Sequence, residues 1–278
     1  MANPNALTLT VLGSAGAYRT HDGSRASGYL VQHGLTTLLF DLGHGTYAPL
    51  AAHVGISALP QISAVAISHL HPDHWVDLAA LRHALVHGNK MGSDARSVLV
   101  ISPSGLATRL ATLLDDRTPE EQAAGAYDSL QPFAFSTWRS DAALPPLGGG
   151  RVVPVGDLTL RGARVRHTGE SYAMRVALGD LPGLTYSGDV SHWEDLAAIV
   201  QPRDTLLCEA AGGAAQWREG DTHITAYGAG RAAASAGAAK LLLTHFGAEV
   251  DPAEAVRAAA TEFSGEIVAV REGDRFEI

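Results

Sequence analysis

Ser68-His69-Leu70-His71-Pro72-Asp73-His74 is the stretch from which the fold can be read. Three histidines and an aspartate spaced H-x-H-x-D-H arise by chance in roughly one chain of this composition in 600. The stretch closes a short apolar run, Ala64 to Ser68, that has the character of a buried strand. It opens a segment, Asp73 to His87, whose apolar positions 75, 78, 79, 81 and 85 suit a helix. A turn leaving such a strand can direct two alternate imidazoles at one cation while the following Asp and His face a second. The competing reading is a histidine-rich helix start with Asp73 as its N-cap, and the improbability of the spacing counts against it.

Outward from this motif, Leu7 to Leu12, Gly28 to His33 and Thr36 to Leu42 read as strands, with Gly34 turning between the last two. Val98 to Ile101 is a further buried strand, followed by helical stretches from Ser104 to Leu114 and Pro119 to Ala124. Asp141 to Gly150, rich in Pro and Gly, reads as a long loop. Val152 to Val155, Leu158 to His167, Tyr172 to Leu178 and Leu184 to Ser187 then form a second antiparallel meander. The remainder alternates helix near Trp193 to Val200, strand Thr205 to Glu209, helix Ala226 to Ala236, strand Lys240 to Thr244, helix Pro252 to Phe263 and strand Ile267 to Val270. Two strand-rich halves with helices at intervals predict an α/β protein, an αββα sandwich of two mixed β-sheets flanked by helices, as one domain over residues 1–278.

Several isolated residues fall at strand ends in an order that matters. Asp41 ends Leu38-Leu39-Phe40, His167 follows Ala163 to Arg166, Asp189 closes Tyr186-Ser187-Gly188, and His245 follows Leu241 to Thr244. With the H-x-H-x-D-H motif, this series resembles the metallo-β-lactamase superfamily over nearly the whole chain. The resemblance implies that His69, His71 and His167 hold one metal, that Asp73, His74 and His245 hold the other, and that Asp189 bridges them. It gives Asp41 the task of orienting ligand histidines. Two Zn2+ per chain suit the histidine-rich ligation, with Mn2+ or Fe2+ as alternatives.

The same resemblance narrows the reaction. Flavin-partnered diiron members replace the second-metal histidine pattern with one containing Glu, whereas His71 and His74 are kept here; antibiotic-degrading lactamases with Cys or Ser near the bridging position do not match Asp189. Asp221-Thr222-His223-Ile224-Thr225 resembles the H-x-T motif of the ribonuclease Z group, and Leu207-Cys208-Glu209-Ala210 its Glu-Ala motif. These matches imply that Glu209 orients a protonated His223 toward a scissile phosphate, with Asp73 helping to accept the proton of the attacking water. Gly13-Ser14-Ala15-Gly16-Ala17 is a further loop that could offer backbone N–H groups to a phosphate.

Substrate size follows from what is missing. Processing enzymes of the ribonuclease Z group carry a tRNA-gripping arm between the third histidine and the bridging aspartate, but Asp189 comes only 22 positions after His167. Arg161, Arg164 and Arg166 read as a solvated face before they read as an RNA track. A net charge of -9 disfavours long nucleic acid, since polyanion binding needs clustered cations. Val11-Leu12-Gly13-Ser14, Ala26-Ser27-Gly28-Tyr29-Leu30 and Glu170-Ser171-Tyr172 are similar to actinobacterial ribonuclease-Z-like proteins akin to atypical cyclic-nucleotide phosphodiesterases. The expectation is therefore a phosphodiesterase for a small phosphodiester such as a cyclic nucleotide. A tRNA 3′ endonuclease without its arm and a lactone or ester hydrolase are the alternatives; a non-catalytic scaffold is disfavoured because all seven ligand positions are filled.

The single cysteine, Cys208, excludes an internal disulfide and any zinc site built on cysteine pairs. No segment has the roughly 18 uninterrupted apolar residues of a membrane span, and no basic leader precedes Leu7, so a cytoplasmic protein without a membrane partner is expected. A homodimer is expected by analogy alone. His192, three positions after Asp189, is a candidate to line the pocket, and Trp75 and Trp193 are candidates for its wall or for the core.

Overall fold

The computed structural model describes residues 6–17, 19, 23–88, 97–123, 129–140 and 143–278. The helical stretch expected to reach Ala124 and the loop expected from Asp141 each extend into residues outside the described ones.

Two seven-stranded sheets are formed. The first contains β1 (Thr8–Gly13), β2 (Gly28–His33), β3 (Thr36–Leu42), β4 (Ala64–Ala66), β5 (Val98–Ser102), β6 (Phe133–Thr137) and, at its edge, a final strand from the chain end. The second contains β7 (Val152–Val155), β8 (Leu158–Val165), β9 (Ser171–Ala177), β10 (Leu184–Tyr186), β11 (Thr205–Glu209), β12 (Lys240–Thr244) and β13 (Glu266–Ala269); the final strand is β14 (Arg275–Glu277). Each sheet has an antiparallel part and a parallel part. In the first, β14, β1, β2 and β3 run antiparallel to their neighbours, and β3 through β6 are parallel. In the second, β7 through β10 alternate in direction and β10 through β13 are parallel. This is the metallo-β-lactamase fold, two mixed sheets flanked by helices.

Burial on both faces explains why the central strands read as continuous apolar runs. Leu38 and Phe40 of β3 face the core between the sheets, together with Leu207 of β11 and Leu242 of β12. Leu39 points the other way, toward the helices over the first sheet, and Leu206, Leu241 and Leu243 do the same over the second. The flanking helices are α1 (Tyr47–Val54), α2 (Leu78–His83), α3 (Leu106–Leu114) and α4 (Pro119–Ala123), then α5 (Ala226–Ala236) and α6 (Pro252–Ala259). Helix α5 begins with Thr225 accepting a hydrogen bond from the Gly228 N–H and ends on Gly237 at φ 67°, a start and stop supplied by the side chain and by glycine.

The helix expected from Asp73 to His87 is instead broken into a 3₁₀ turn at Pro72–His74, α2, and a wide π-type turn at Ala84–Gly88. Pro72 fixes the entry, its carbonyl accepts from both Trp75 and Val76, and the turn keeps Asp73 and His74 pointing inward, buried. Asp73 makes no capping bond. Strand β8 likewise stops at Val165, two residues short of the expected end. There the Arg166 N–H leaves the ladder to donate to Asp195 Oδ2 at 2.8 Å, which frees His167 to turn toward the sheet ends.

Candidate metal centre

Every expected metal donor, with Asp41 and Glu209, lies at or just beyond the C-terminal end of a strand, the region outside the carboxyl edge where open α/β sheets bind ligands, whereas His223 lies on the connection leading into α5. Asp41 is in β3, the His69 motif follows β4, His167 follows β8, Asp189 follows β10, Glu209 ends β11 and His245 follows β12. The backbone is strained at two of these points: Asp41 has φ 58° and His245 φ 54°, in the left-handed region that costs a non-glycine residue on the order of 1 kcal/mol or more. Two glycines are dictated by close approach. A Cβ on Gly43 would lie 1.9 Å from the Asp73 carbonyl oxygen, and one on Gly188, at φ 56°, would meet the Tyr172 carbonyl oxygen at 2.8 Å.

Asp41 organises the centre from below. Its carboxylate is fully buried and accepts from the Ser68 N–H at 2.7 Å, the Ser68 Oγ–H at 2.8 Å, His74 Nδ1–H at 2.7 Å and the Tyr186 O–H at 2.9 Å. Tyr186 belongs to the inter-sheet aromatic core, against Tyr29 at 4.9 Å and Phe40 at 5.9 Å between ring centroids. The hydrophobic core thus fixes the acceptor that fixes the histidine. Asp41→Ala should weaken divalent-cation affinity by roughly 10–100-fold, measured by competition with a chromophoric chelator; unchanged affinity would show that His74 needs no such support.

Hydrogen bonds at Nδ1 also orient His167, His245 and His69. His167 Nδ1–H donates to the Thr222 carbonyl at 2.7 Å. His245 Nδ1 lies 2.9 Å from Ser27 Oγ, and His69 Nδ1 lies 3.1 Å from Ser68 Oγ. With Nδ1 engaged, Nε2 is left as the free donor toward a common point, the usual arrangement of metal-binding imidazoles. Around that point, Asp189 Oδ2 is 3.3 Å from His245 Nε2, 3.4 Å from His74 Nε2, 3.6 Å from His69 Nε2 and 3.7 Å from His167 Nε2. Asp73 Oδ2 is 3.4 Å from His74 Nε2, and His71 Nδ1 is 3.3 Å from His167 Nε2.

These separations are long for hydrogen bonds. They match the roughly 3.3–3.5 Å edges of a polyhedron whose corners sit about 2.0–2.1 Å from one cation. His69 Nε2, His74 Nε2 and Asp189 Oδ1 are buried with no hydrogen-bond partner, and buried polar atoms are seldom left so. The donors fall into the groups His69, His71, His167 and Asp189, then Asp73, His74 and His245. They suit a divalent metal, and imidazole with carboxylate is ligation that zinc, manganese or iron accepts. A third grouping, Asp189, His223 and His245, also lies within ligand range.

At three of the histidines, electrostatics agree with this use. Burial lowers the pKa of His69, His71 and His245, leaving neutral imidazoles with a lone pair to give. Burial also opposes charge on His74, but the Asp189 and Asp41 carboxylates outweigh it and raise its pKa. Asp189, although buried, is held well below the usual carboxylate range by the imidazoles of His245, His74 and His69.

His223 stands at the edge of the group, half-buried, with Nδ1 3.1 Å from each oxygen of Glu209 and 3.9 Å from Asp189 Oδ2. Burial works against its charged form, yet the fully buried Glu209 carboxylate pushes its pKa up to about 9. Glu209 also accepts from the Val190 N–H at 2.7 Å, tying His223 to the turn that carries Asp189. A cleft of about 690 Å³ opens in front of the donors, lined among others by Asp73, Asp189, His223, His245, His44 and Gly16. The Gly13–Ala17 loop does border it, but the N–H groups of Ala15 and Gly16 are already given to the Arg25 and Phe246 carbonyls and are not free for a phosphate. Arg164 and Arg166 are similarly committed, to the Pro145 carbonyl and to Asp195. Trp75 packs in the core over the first sheet, and His192 and Trp193 border a separate hollow. The supporting roles of Ser27, Ser68, Tyr186 and the Thr222 carbonyl went unassigned from sequence, although each lies in a stretch that the sequence marks.

Comparison with known proteins agrees with this architecture. Residues 36–246 match the beta-lactamase superfamily domain. An uncharacterized protein of Mycobacterium leprae is 31% identical over 272 residues, covering 97% of this chain and 88% of that protein. The probable metallo-hydrolase YhfI of Bacillus subtilis is 26% identical over 270 residues, 96% of this chain and 98% of that one. Its crystal structure matches with a TM-score of 0.79 at 25% identity, over 99% of this chain and 100% of that one. Ribonuclease Z of Kineococcus radiotolerans is 28% identical over 291 residues, covering 92% and 90% respectively. The chain belongs to the beta-lactamase superfamily. Within it, the protein is a metallo-hydrolase whose candidate His and Asp clusters suit a divalent metal. No helix among the described residues is long and apolar enough to cross a membrane.

Proposed function

We propose that the protein is a phosphodiesterase working with two divalent cations, zinc for preference, on a small phosphodiester such as a cyclic nucleotide. The observation that carries this reading is the Glu209–His223 pair, aimed along the edge of the cleft next to Asp189. His69, His71 and His167 would hold one cation, Asp73, His74 and His245 the other, and Asp189 both. When bound, such a pair supplies a water that is nucleophilic at neutral pH and neutralises charge on the phosphoryl oxygens.

The chain's own residues do the rest. Asp73 lines the cleft with a carboxylate beside His74 Nε2, placed to take the proton of the attacking water. His223 gives Nδ1–H to Glu209 and keeps its other nitrogen for the departing oxygen, and Glu209 sustains the charge that makes that imidazole an acid. An alkoxide leaving phosphorus is a strong base and gains from a proton donor. Small size is supported by the chain between His167 and Asp189, where β9 and β10 occupy the span in which a tRNA-gripping arm would be inserted.

The test is hydrolysis by cation-loaded protein of bis(p-nitrophenyl) phosphate, 3′,5′-cyclic AMP, a lactone and a precursor tRNA. Turnover of the first two, abolished by chelator, is expected. Lactone turnover without phosphodiester cleavage would overturn the reading. Cleavage of precursor tRNA alone would favour the nuclease, which the H-x-T-like stretch at His223 and the ribonuclease Z relative make the second reading.

A further inference from the structure

Behind the Thr222–Thr225 segment lies a second hollow, of about 300 Å³, that the metal centre does not use. Its walls include His192, Trp193, Trp217 and Tyr227, and Glu194 and Gln216 stand at its rim. Trp217 is 39% exposed, yet it is not loose. Its indole N–H donates to the Ser191 carbonyl at 3.1 Å, and its ring meets the His192 ring edge-on at 5.4 Å. Ser191 in turn is fastened to the end of β8, donating to the Arg166 carbonyl through its N–H at 2.7 Å and its hydroxyl at 3.0 Å. A large aromatic face is thus held open to solvent by the residue that immediately precedes His192.

The hollow adjoins the catalytic cleft through shared walls. Gln216 and Thr225 line it and also line a shallow depression of about 250 Å³, whose other residues include Ala211, Thr222 and His223. Those three residues also line the cleft in front of the metal donors. One run of surface therefore passes from Asp189, over His223, to the aromatic walls. Direction along it has chemical meaning. If His223 serves the departing oxygen, whatever that oxygen carries extends past His223 toward the hollow.

We infer that the hollow formed by His192, Trp193, Trp217 and Tyr227 seats the nucleobase attached to the departing side of the substrate; this rests on the phosphodiesterase reading above. Aromatic side chains accept any base by stacking, and the polar rim of Glu194 and Gln216 offers acceptors and a donor to the base edge. In a 3′,5′-cyclic nucleotide either departing oxygen remains on the nucleoside, so the base always lies on the His223 side. A substrate without a base leaves the hollow empty.

Trp217→Ala tests this because the residue is on an exposed segment and contributes no side chain to the core clusters. The preference of cation-loaded protein for 3′,5′-cyclic AMP over the base-free ribose cyclic phosphate should fall about tenfold, through KM rather than kcat, and Trp217→Phe should restore it. Quenching of tryptophan emission by AMP in the unmodified protein, weakened in Trp217→Ala, is the second readout. An unchanged preference together with undiminished quenching would overturn the assignment. A protein that hydrolyses neither bis(p-nitrophenyl) phosphate nor the cyclic nucleotide would instead sink the phosphodiesterase reading, and the quenching measurement would still decide whether the hollow takes a base.

Discussion

Asp189→Ala is expected to retain fewer than two equivalents of divalent cation per chain after dialysis and to lose hydrolysis by on the order of 10³-fold or more. Asp189 Oδ2 is the oxygen on which imidazoles from both donor groups converge, at 3.3 to 3.7 Å for His245, His74, His69 and His167. Removing it leaves the first group with imidazole nitrogens alone and takes away the anion proposed to lie between two cations. Asp73 remains, but it reaches only the second group. Elemental analysis and turnover on bis(p-nitrophenyl) phosphate measure the two halves of the expectation. A variant with two cations and full activity would remove Asp189 from the centre.

His223→Ala separates the metal from the proton. Because His223 stands at the edge of the donor set, held by Glu209 and half-buried, its loss should leave cation content intact and reduce phosphodiester turnover by about 10²-fold, the range of a general acid. The defect should shrink for esters whose departing group is already a weak base, such as p-nitrophenolate, and be largest for an alkoxide. That gradient distinguishes proton donation from mere disturbance of the cleft. Loss of one cation would instead place His223 in the third grouping, with Asp189 and His245. Full activity on alkyl phosphodiesters would remove the imidazole from the reaction.

What could be read in the sequence follows from how each residue is buried. Strands β3, β4, β11 and β12 are covered on both faces, so they appear as unbroken apolar runs, and the charged or imidazole residue that ends each run stands out. Helix α5 was legible to the residue, since Thr225 and Gly237 mark its ends. Strands β6 and β14 were not read: they lie at the edges of the first sheet, and β14 alternates exposed Arg275 and Glu277 around Phe276. Helix α1 was missed because Pro49 sits inside it, its N-cap residue Thr46 makes no side-chain capping bond while the Tyr47 N–H is satisfied by the distant Asp77, and Leu50 is its only buried residue. The donor residues were visible because their chemistry is rare. Their supports were not, since a serine or tyrosine looks ordinary until the fold places Ser27 on His245 and Tyr186 on Asp41, more than a hundred positions away.

Cation-facing side chains sit where strands stop, on backbone clamped by both sheets, whereas Trp217, Gln216 and His223 ride on the connection between β11 and α5. The metal donors and the proposed base seat are thereby mounted on separate parts of the molecule, with the proposed acid His223 on the side of the seat. Substitutions at Gln216 and Trp217, away from the Thr222 carbonyl that holds His167, would then alter the proposed seat without moving a donor atom. A lineage starting from such a scaffold can therefore diversify its diet by editing one loop, and a protein engineer seeking a new substrate should begin there.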